Sequence, residues 1–381
     1  MSDYLTINGV GIDKYAIINA ISCTHGRSDI NQQPSPSTFK VSLQLSPSET
    51  FPTSIELGSQ VLWQIYDSTG YDNKRIIFYG NISDITTSLQ WANGSGIYFY
   101  EITAVDNLGT LNNKTTTSSF AKQFAGTRIA AILTAFGYDT SGITTPGDYE
   151  IAVHSSGTVD NALELAQAAS QSSMGVLYCQ PNSNGRIKYQ TYLDRKSNTE
   201  ITLSTSDILA ADYVLSTSTN TVVNQATVSY GTSGTLGTTY NDTVSQSIYG
   251  IRSGTRDTNL HNASDANSQA QILLSSRKAP AVGLTSVTVN TATISDSLNT
   301  SLANIEIGTR IAITGLPTPE LQSFNGFIEG YTWTSARGQN IIQMNLSNRS
   351  QLYPYTLWND LNSTDTWNTY ATATTQWSNI N

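Results

Sequence analysis

Apolar and polar residues alternate through much of the first 110 residues. In Thr38-Phe39-Lys40-Val41-Ser42-Leu43-Gln44-Leu45, the side chains of Phe39, Val41, Leu43 and Leu45 fall on one face, the period-two pattern of a half-buried strand. Residues 61–66, 75–79 and 97–105 read as further strands. They are rich in β-branched and aromatic residues and are divided by Gly, Asp, Asn and Ser turns. Short strands at this spacing predict a sandwich or small barrel.

The period lengthens after residue 110. Residues 126–137 predict a helix with Thr127 as its cap. Ile129, Ile132, Leu133 and Phe136 form the apolar stripe, and Gly137 takes the left-handed position at the end. A second helix is predicted from residue 159 to about 172, capped by Thr158, with Leu163, Ala166 and Ala169 inward. Strands at 174–179 and 186–190 follow, around the turn Pro181-Asn182-Ser183-Asn184-Gly185. Strands resume at 222–230 and 244–249, separated by a Gly-rich loop at 231–237. A third helix fits 265–278, with Ser264 as cap and Pro280 as stop. Residues 282–289 then alternate as a strand. The last residues, 351–381, set Trp358, Trp367 and Trp377 in a background of Thr, Asn and Ser.

A repeat with a spacing of about 250 residues organises these elements. Ile55-Glu56-Leu57-Gly58-Ser59-Gln60-Val61 matches Ile305-Glu306-Ile307-Gly308-Thr309-Arg310-Ile311. Downstream, Phe78-Tyr79-Gly80-Asn81-Ile82 matches Phe324-Asn325-Gly326-Phe327-Ile328, and the segment from Gly96 to Ile102 matches that from Gly338 to Met344. Three blocks in the same order point to duplication. The expected fold is mainly β with an α+β insert. Two similar small β-barrel domains, 1–110 and 221–350 (the second including the helix at 265–278), flank a helical-plus-sheet unit at 111–220. Residues 351–381 then form a Trp/Thr/Asn-rich docking tail.

Composition narrows the function classes. The chain has 381 residues, 12% of them charged, against about 25% in ordinary soluble domains. Ser and Thr make up about a quarter. Lys and Arg number 19 and Asp and Glu 28, for a net charge of -9. No apolar run approaches the length of a membrane span, and the N-terminus shows no secretory signal pattern. The acidic balance, without a Lys/Arg block, disfavours a nucleic-acid-binding face. An acidic channel would instead let DNA slide past.

Candidate chemistry is sparse. Cys23 and His25 stand two residues apart, on one strand face, which raises a metal or thiol-nucleophile reading. A metal site needs three or four converging ligands, and the only histidines are His25, His154 and His261, in segments of different character. Cys23 and Cys179 lie too far apart in sequence to suggest a disulfide framework and read as small apolar core residues. Two-carboxylate glycosidase chemistry would fall to Glu101 with Asp106, or to Glu306 with Glu329. Their plainer role is as strand-face residues or in rim ion pairs. Arg27, Arg252 and Arg310 read as partners for Asp84, Asp106 or Glu329. No P-loop, dinucleotide fingerprint, nucleophile elbow or His-Glu-x-x-His occurs. Triplets such as Asn81-Ile82-Ser83 are ascribed to composition rather than glycosylation. No catalytic, cofactor-binding or metal-binding residue is therefore expected, and no cofactor.

Several stretches carry a resemblance. Gly26-Arg27-Ser28 follows the first strand. Leu57-Gly58 precedes Phe78-Tyr79-Gly80-Asn81-Ile82-Ser83-Asp84, and Thr103-Ala104-Val105-Asp106 closes the first half. Tyr249-Gly250-Ile251-Arg252 stands before a helix with Ser264-Asp265-Ala266 and Leu273-Leu274, then Pro280. Ile307-Gly308-Thr309-Arg310-Ile311 and Phe327-Ile328-Glu329-Gly330-Tyr331-Thr332-Trp333 end the pattern. In order and over roughly residues 1–350, this resembles the tail-hub, baseplate-hub or minor tail proteins of tailed bacteriophages. The resemblance implies a non-enzymatic virion protein at the distal end of the tail. It would form a ring-shaped hub, commonly a homotrimer, that links tail tube and distal-tail proteins to tip or fibre proteins and adapts sixfold to threefold symmetry. DNA would pass through its lumen without specific binding. The alternatives are a host-envelope polysaccharide-binding or -degrading tip module, or a neighbouring distal-tail ring protein.

Overall fold

The computed structural model describes residues 3–353 apart from 15, 29, 46–49, 67–73, 93–94, 156, 158, 210–212, 317–321 and 337–338. The first part of the chain is strand after strand: β1 (Asp3–Ile7), β2 (Ala16–Gly26), β3 (Ser35–Leu45), β4 (Gln60–Tyr66), β5 (Lys74–Ala92) and β6 (Ser95–Val105). They pair antiparallel in the order β2-β3-β6-β5-β4-β1. The alternation along β3 does what its pattern demands: Phe39, Val41, Leu43 and Leu45 are all buried.

Three helices and a hairpin follow: α1 (Asn107–Asn112), α2 (Ala125–Ala135), α3 (Ala162–Ser172), β7 (Val176–Gln180) and β8 (Arg186–Gln190). Then come β9 (Glu200–Ser204), β10 (Val214–Thr217), β11 (Gln225–Tyr230), α4 (Thr243–Tyr249), β12 (Ser253–Arg256) and α5 (Ala263–Arg277). The last elements are β13 (Val282–Asn290), α6 (Asp296–Ala303), β14 (Arg310–Thr314), β15 (Ser323–Ala336) and β16 (Gln339–Asn348). Strands β10-β13-β16-β15-β14 pair in the same order as β2-β3-β6-β5-β4, and β9 lies parallel to the outer edge of β14.

The duplication extends to individual hydrogen bonds. Gly58 and Gly308 share a φ of +84°. The Gly58 N–H donates to the Ile82 carbonyl at 2.9 Å and the Gly308 N–H to Ile328 at 2.7 Å. The Glu56 N–H meets the Ser59 hydroxyl and the Glu306 N–H the Thr309 hydroxyl, each at 3.0 Å. A β-bulge follows Ile82 in one repeat and Ile328 in the other. A side chain on Gly80 would strike the Val105 carbonyl and the Phe78 ring. One on Gly326 would strike the Ser347 carbonyl and the Phe324 ring.

The expected barrels are not there. Strands β1 to β6, β9, β10 and β13 to β16, with Val10–Gly11, make one 13-stranded sheet that remains open, with β10 at one end and the β1 hairpin at the other. The reason is the second edge of β15. Instead of closing on a strand of its own repeat, Gly330 to Ala336 pair antiparallel with Gly26 to Ala20 of β2. The two repeats are thereby fused edge to edge. The architecture is a mixed α/β fold with several sheets and no closed barrel among the described residues.

Two main apolar cores result. One runs through both repeats and contains Trp63, Phe78, Phe324 and Trp333. The other gathers Ile129, Ile132, Leu133, Leu163, Ala166 and Ala169 from α2 and α3 with residues of β11 and α5. Local expectations fail in four places. Residues 244–249 form helix α4 instead of a strand, because the Asp242 carboxylate caps the Ser245 N–H at 2.8 Å and Val244 and Ile248 face solvent. Thr127 lies inside α2 and does not cap it; Phe124 holds that position without a side-chain bond. Helix α3 starts at Ala162, capped by Asn161, and α5 is capped by Asn262 in place of Ser264. Helix α6 was not anticipated. Thr158, Trp358, Trp367 and Trp377 lie outside the described residues.

Gly80→Ala and Gly326→Ala should each cost about 3 kcal/mol, since a rigid carbonyl blocks the new methyl. Gly58→Ala has open space around it and should cost only the left-handed backbone, about 1 kcal/mol. Urea unfolding of the three variants checks the ranking, and equal losses would contradict it.

Candidate functional site: the junction of the two repeats

The edge pairing of β2 with β15 brings Arg27 beside Glu329. At the join, Gly26 and Gly330 face each other so closely that a side chain on either would collide with the other strand's backbone. The Arg27 N–H donates to the Glu329 carbonyl at 2.9 Å. The Arg27 guanidinium grips the Glu329 carboxylate with Nε at 2.8 Å and a terminal nitrogen at 2.6 Å. From the opposite side Arg195, on the turn after β8, reaches the other carboxylate oxygen at 2.6 Å, and the Ser347 hydroxyl of β16 donates to it at 2.6 Å. The Arg195 guanidinium also lies 5.0 Å from the centre of the Phe327 ring. All three charged side chains are almost wholly buried. Burial alone would raise the Glu329 carboxyl, but Arg195 and Arg27, helped by Ser347, bring it down to about 2.

The second anticipated carboxylate, Glu306, is held elsewhere. It accepts from the Tyr178 hydroxyl at 2.7 Å, from Lys188 at 2.6 Å and from the Gln180 amide, all on the β7-β8 hairpin. Burial and the neighbouring Glu306 push the Tyr178 hydroxyl well above its ordinary range. The two glutamates are therefore neutralised by separate donor sets, each of which ties a repeat element to the insert. Asp106 is buried and caps α1, accepting from the N–H groups of Leu108, Gly109 and Ser37. Glu101 faces outward on β6.

Cys23 and His25 do share a face, pointing into the core around one main-chain oxygen. The pairing of β4 with β5 skips Ile77, so the ladder leaves its carbonyl over. The His25 Nε2–H donates to that carbonyl at 2.9 Å and the Cys23 thiol approaches it at 3.9 Å, while the His25 Nδ1 accepts from Ser37 at 2.7 Å. Burial lifts the Cys23 thiol and lowers His25 to about 4. His154 pairs with Asp160 at 2.9 Å, and His261 is exposed. Cys179 is buried and free. Among the described residues no three His, Cys, Asp or Glu groups converge as a metal site would require. Of the arginines, Arg27 meets Glu329 as expected, Arg310 meets Glu200 at 2.8 Å, and Arg252 is exposed with its Nε on the Tyr249 carbonyl. Asp84 accepts from Thr86. Arg195 was missed, because Leu193-Asp194-Arg195-Lys196 reads as a solvated turn. Buried Arg128, which donates to the carbonyls of Ala121 and Ala152, gave no signal either.

Below about pH 6.5 the unfolded chain binds a proton at His25 that the folded chain resists until about 4. Stability should therefore fall as pH drops through that window. Glu329, with its folded value below the usual 4.5, keeps its full contribution above that pH and loses it toward 2. Thermal melts from pH 7 to 4.5 should show a shallower decline for His25→Gln; an unchanged slope would contradict the assignment. Glu329→Gln should cost about 3–5 kcal/mol at neutral pH, because it leaves two buried guanidiniums short of their counter-charge. A loss below about 1 kcal/mol in urea unfolding would show that the triad is not coupled.

No family model and no curated protein sequence matches the chain. Solved structures do. The 43 kDa tail protein of prophage MuSo2 from Shewanella oneidensis aligns over 92% of this chain and 100% of its own, with a TM-score of 0.62 and 14% identity. The tail protein from Neisseria meningitidis MC58 aligns over 93% and 98%, with a TM-score of 0.58 and 11% identity. The Escherichia coli c3393 protein is described as a component of the type VI secretion system, with structural similarity to the T4 tail proteins gp27 and gp5. It aligns over 92% and 78%, with a TM-score of 0.51 and 11% identity. At such low identity the likeness is one of fold: over more than nine-tenths of its length this chain has the fold of phage tail proteins.

Proposed function

We propose that this chain is a structural protein of a phage tail, placed at the distal end, where three copies form a ring-shaped hub between the tail tube and the tip. The tail-protein fold supports the setting. One observation carries the ring. Inside the chain, the β15 edge at residues 330–336 of the second repeat pairs with β2 of the first. The equivalent edge of the first repeat, residues 84–90 of β5, pairs with no strand among the described residues, and Thr86 to Gln90 are exposed. The equivalent of β2 in the second repeat is β10, which among the described residues pairs with β13 on one side only. Each repeat thus offers the donor edge and the acceptor strand that the in-chain junction already uses.

Repeating that junction between chains joins β5 of one copy to β10 of the next, head to tail. Three copies then present six similar repeats. Such a ring meets a sixfold tube on one face and a threefold tip on the other. The role is assembly, with no catalytic step. The net charge of -9 suits a lumen that conducts DNA without holding it.

Mass photometry of the purified chain or of tails dissociated under mild conditions should give a particle of three chains. A monomer at every concentration, absent from assembled tails, would overturn the reading. Leu89→Lys combined with Trp91→Lys charges the free β5 edge, a device that blocks strand addition. This variant should stay monomeric with an unchanged melting temperature, since both side chains are exposed. Normal assembly of the variant would place the contact elsewhere.

A further inference from the structure

Arg128 lies near the start of α2 and is only 5% exposed. One terminal nitrogen donates to the carbonyls of Ala121 and Ala152, each at 2.8 Å, and the guanidinium carbon lies 5.8 Å from the centre of the Phe120 ring. Its Nε is buried with no hydrogen-bond partner, and its other terminal nitrogen donates to no described residue. Among the described residues no carboxylate pairs with it. Burial is the one cause that moves this guanidinium, down to about 10, whereas an acid close by would hold it up. The helix end gives no relief. The first turn of α2 carries no Asp or Glu, and its positive dipole end adds to the charge. A guanidinium stays protonated at any ordinary pH, and two carbonyl dipoles replace only part of what a carboxylate would supply.

A cavity of about 320 Å³ opens beside Arg128. Its walls are apolar, with Ile151, Leu165 and Ala168, and its rim is polar, with exposed Thr232 and Asn259. His154 also lines it, with its Nε2 held by Asp160 at 2.9 Å. Among the described residues no Asp, Glu or Lys lines the cavity. We propose that this cavity binds a carboxylate on a short apolar stem, with Arg128 as the group that receives the charge. The walls cover the stem, and the free guanidinium nitrogen meets the carboxylate oxygens. A chain end after an aliphatic residue has this chemistry, and so does a glutamate side chain of a partner protein. The site stands independently of the ring, because every residue in it belongs to one chain and none lies on the β5 or β10 edge.

NMR titration of the full chain tests it with three probes. N-acetyl-leucine mimics a chain end, N-acetyl-glutamic acid α-amide mimics a side chain, and N-acetyl-leucinamide keeps the apolar body without the charge. At least one acid should bind saturably with a Kd of about 1 mM, as expected for about a dozen heavy atoms. The leucinamide should bind at least tenfold more weakly. Preference for N-acetyl-leucine marks a chain end as the ligand; preference for the glutamyl amide marks an acidic side chain. Arg128→Gln and Ala168→Leu should each weaken binding at least tenfold. The second fills the cavity with Arg128 unchanged, and so decides the matter where the first fails to fold. Arg310→Gln, which alters an ion pair away from the cavity, should bind as the parent does. Absence of binding by the parent chain to either acid would overturn the proposal, as would equal affinity for the leucinamide or undiminished binding by Ala168→Leu.

Discussion

Removing a carboxylate from water costs several kcal/mol unless charge and hydrogen bonds replace the lost hydration. Glu329 meets that condition only because three distant stretches arrive together: Arg27 at the end of β2, Arg195 after the insert hairpin, and Ser347 on β16. The dependence is mutual. Arg27 and Arg195 are as deeply buried as the glutamate and would be stranded without it. Such a triad adds little net stability over an apolar substitute, but it penalises every arrangement in which one member is missing. In the observed register of the fused sheet, with the insert docked, every member of the triad has its partner.

The duplication is kept in the backbone more than in the side chains. Ser59 and Thr309 differ, yet both hydroxyls accept the same turn N–H. Gly80 and Gly326 are the same residue because the opposing carbonyl leaves no room for another. The repeats diverge where their surroundings diverge. Trp333 is fully buried against β2, while Thr87, at the equivalent register of β5, faces solvent.

Much of this was legible in the sequence. The period-two pattern located β3 to β6, and the three repeated blocks located β14 to β16, because inward residues and close-packed glycines leave a local trace. The Arg27–Glu329 contact was within reach as one of several open pairings. Sheet closure was not legible: whether an edge strand pairs with its own repeat or with the other depends on non-local contacts that the pattern of either strand does not encode. Helix α4 misled for a related reason. Val-Ser-Gln-Ser-Ile-Tyr alternates like a strand, and only the Asp242 cap and the exposure of Val244 and Ile248 settle it. Arg195 lies in a stretch that looks solvated and is buried only by what packs over it.

The facing glycines at positions 26 and 330 fix more than a close contact. With no side chain to act as a spacer, the two backbones lie closer here than any other residue pair would allow, so a larger residue at either position would push the repeats apart. Head-to-tail contacts close into a ring only if the rotation from one copy to the next divides a full turn; otherwise they continue as a helical filament. In the ring proposed above, this in-chain joint would alternate with the contact between copies, where Asp84 stands in place of Gly330. A change of angle at the in-chain joint would recur once in every copy of such a ring and would have to be offset at the contacts between copies.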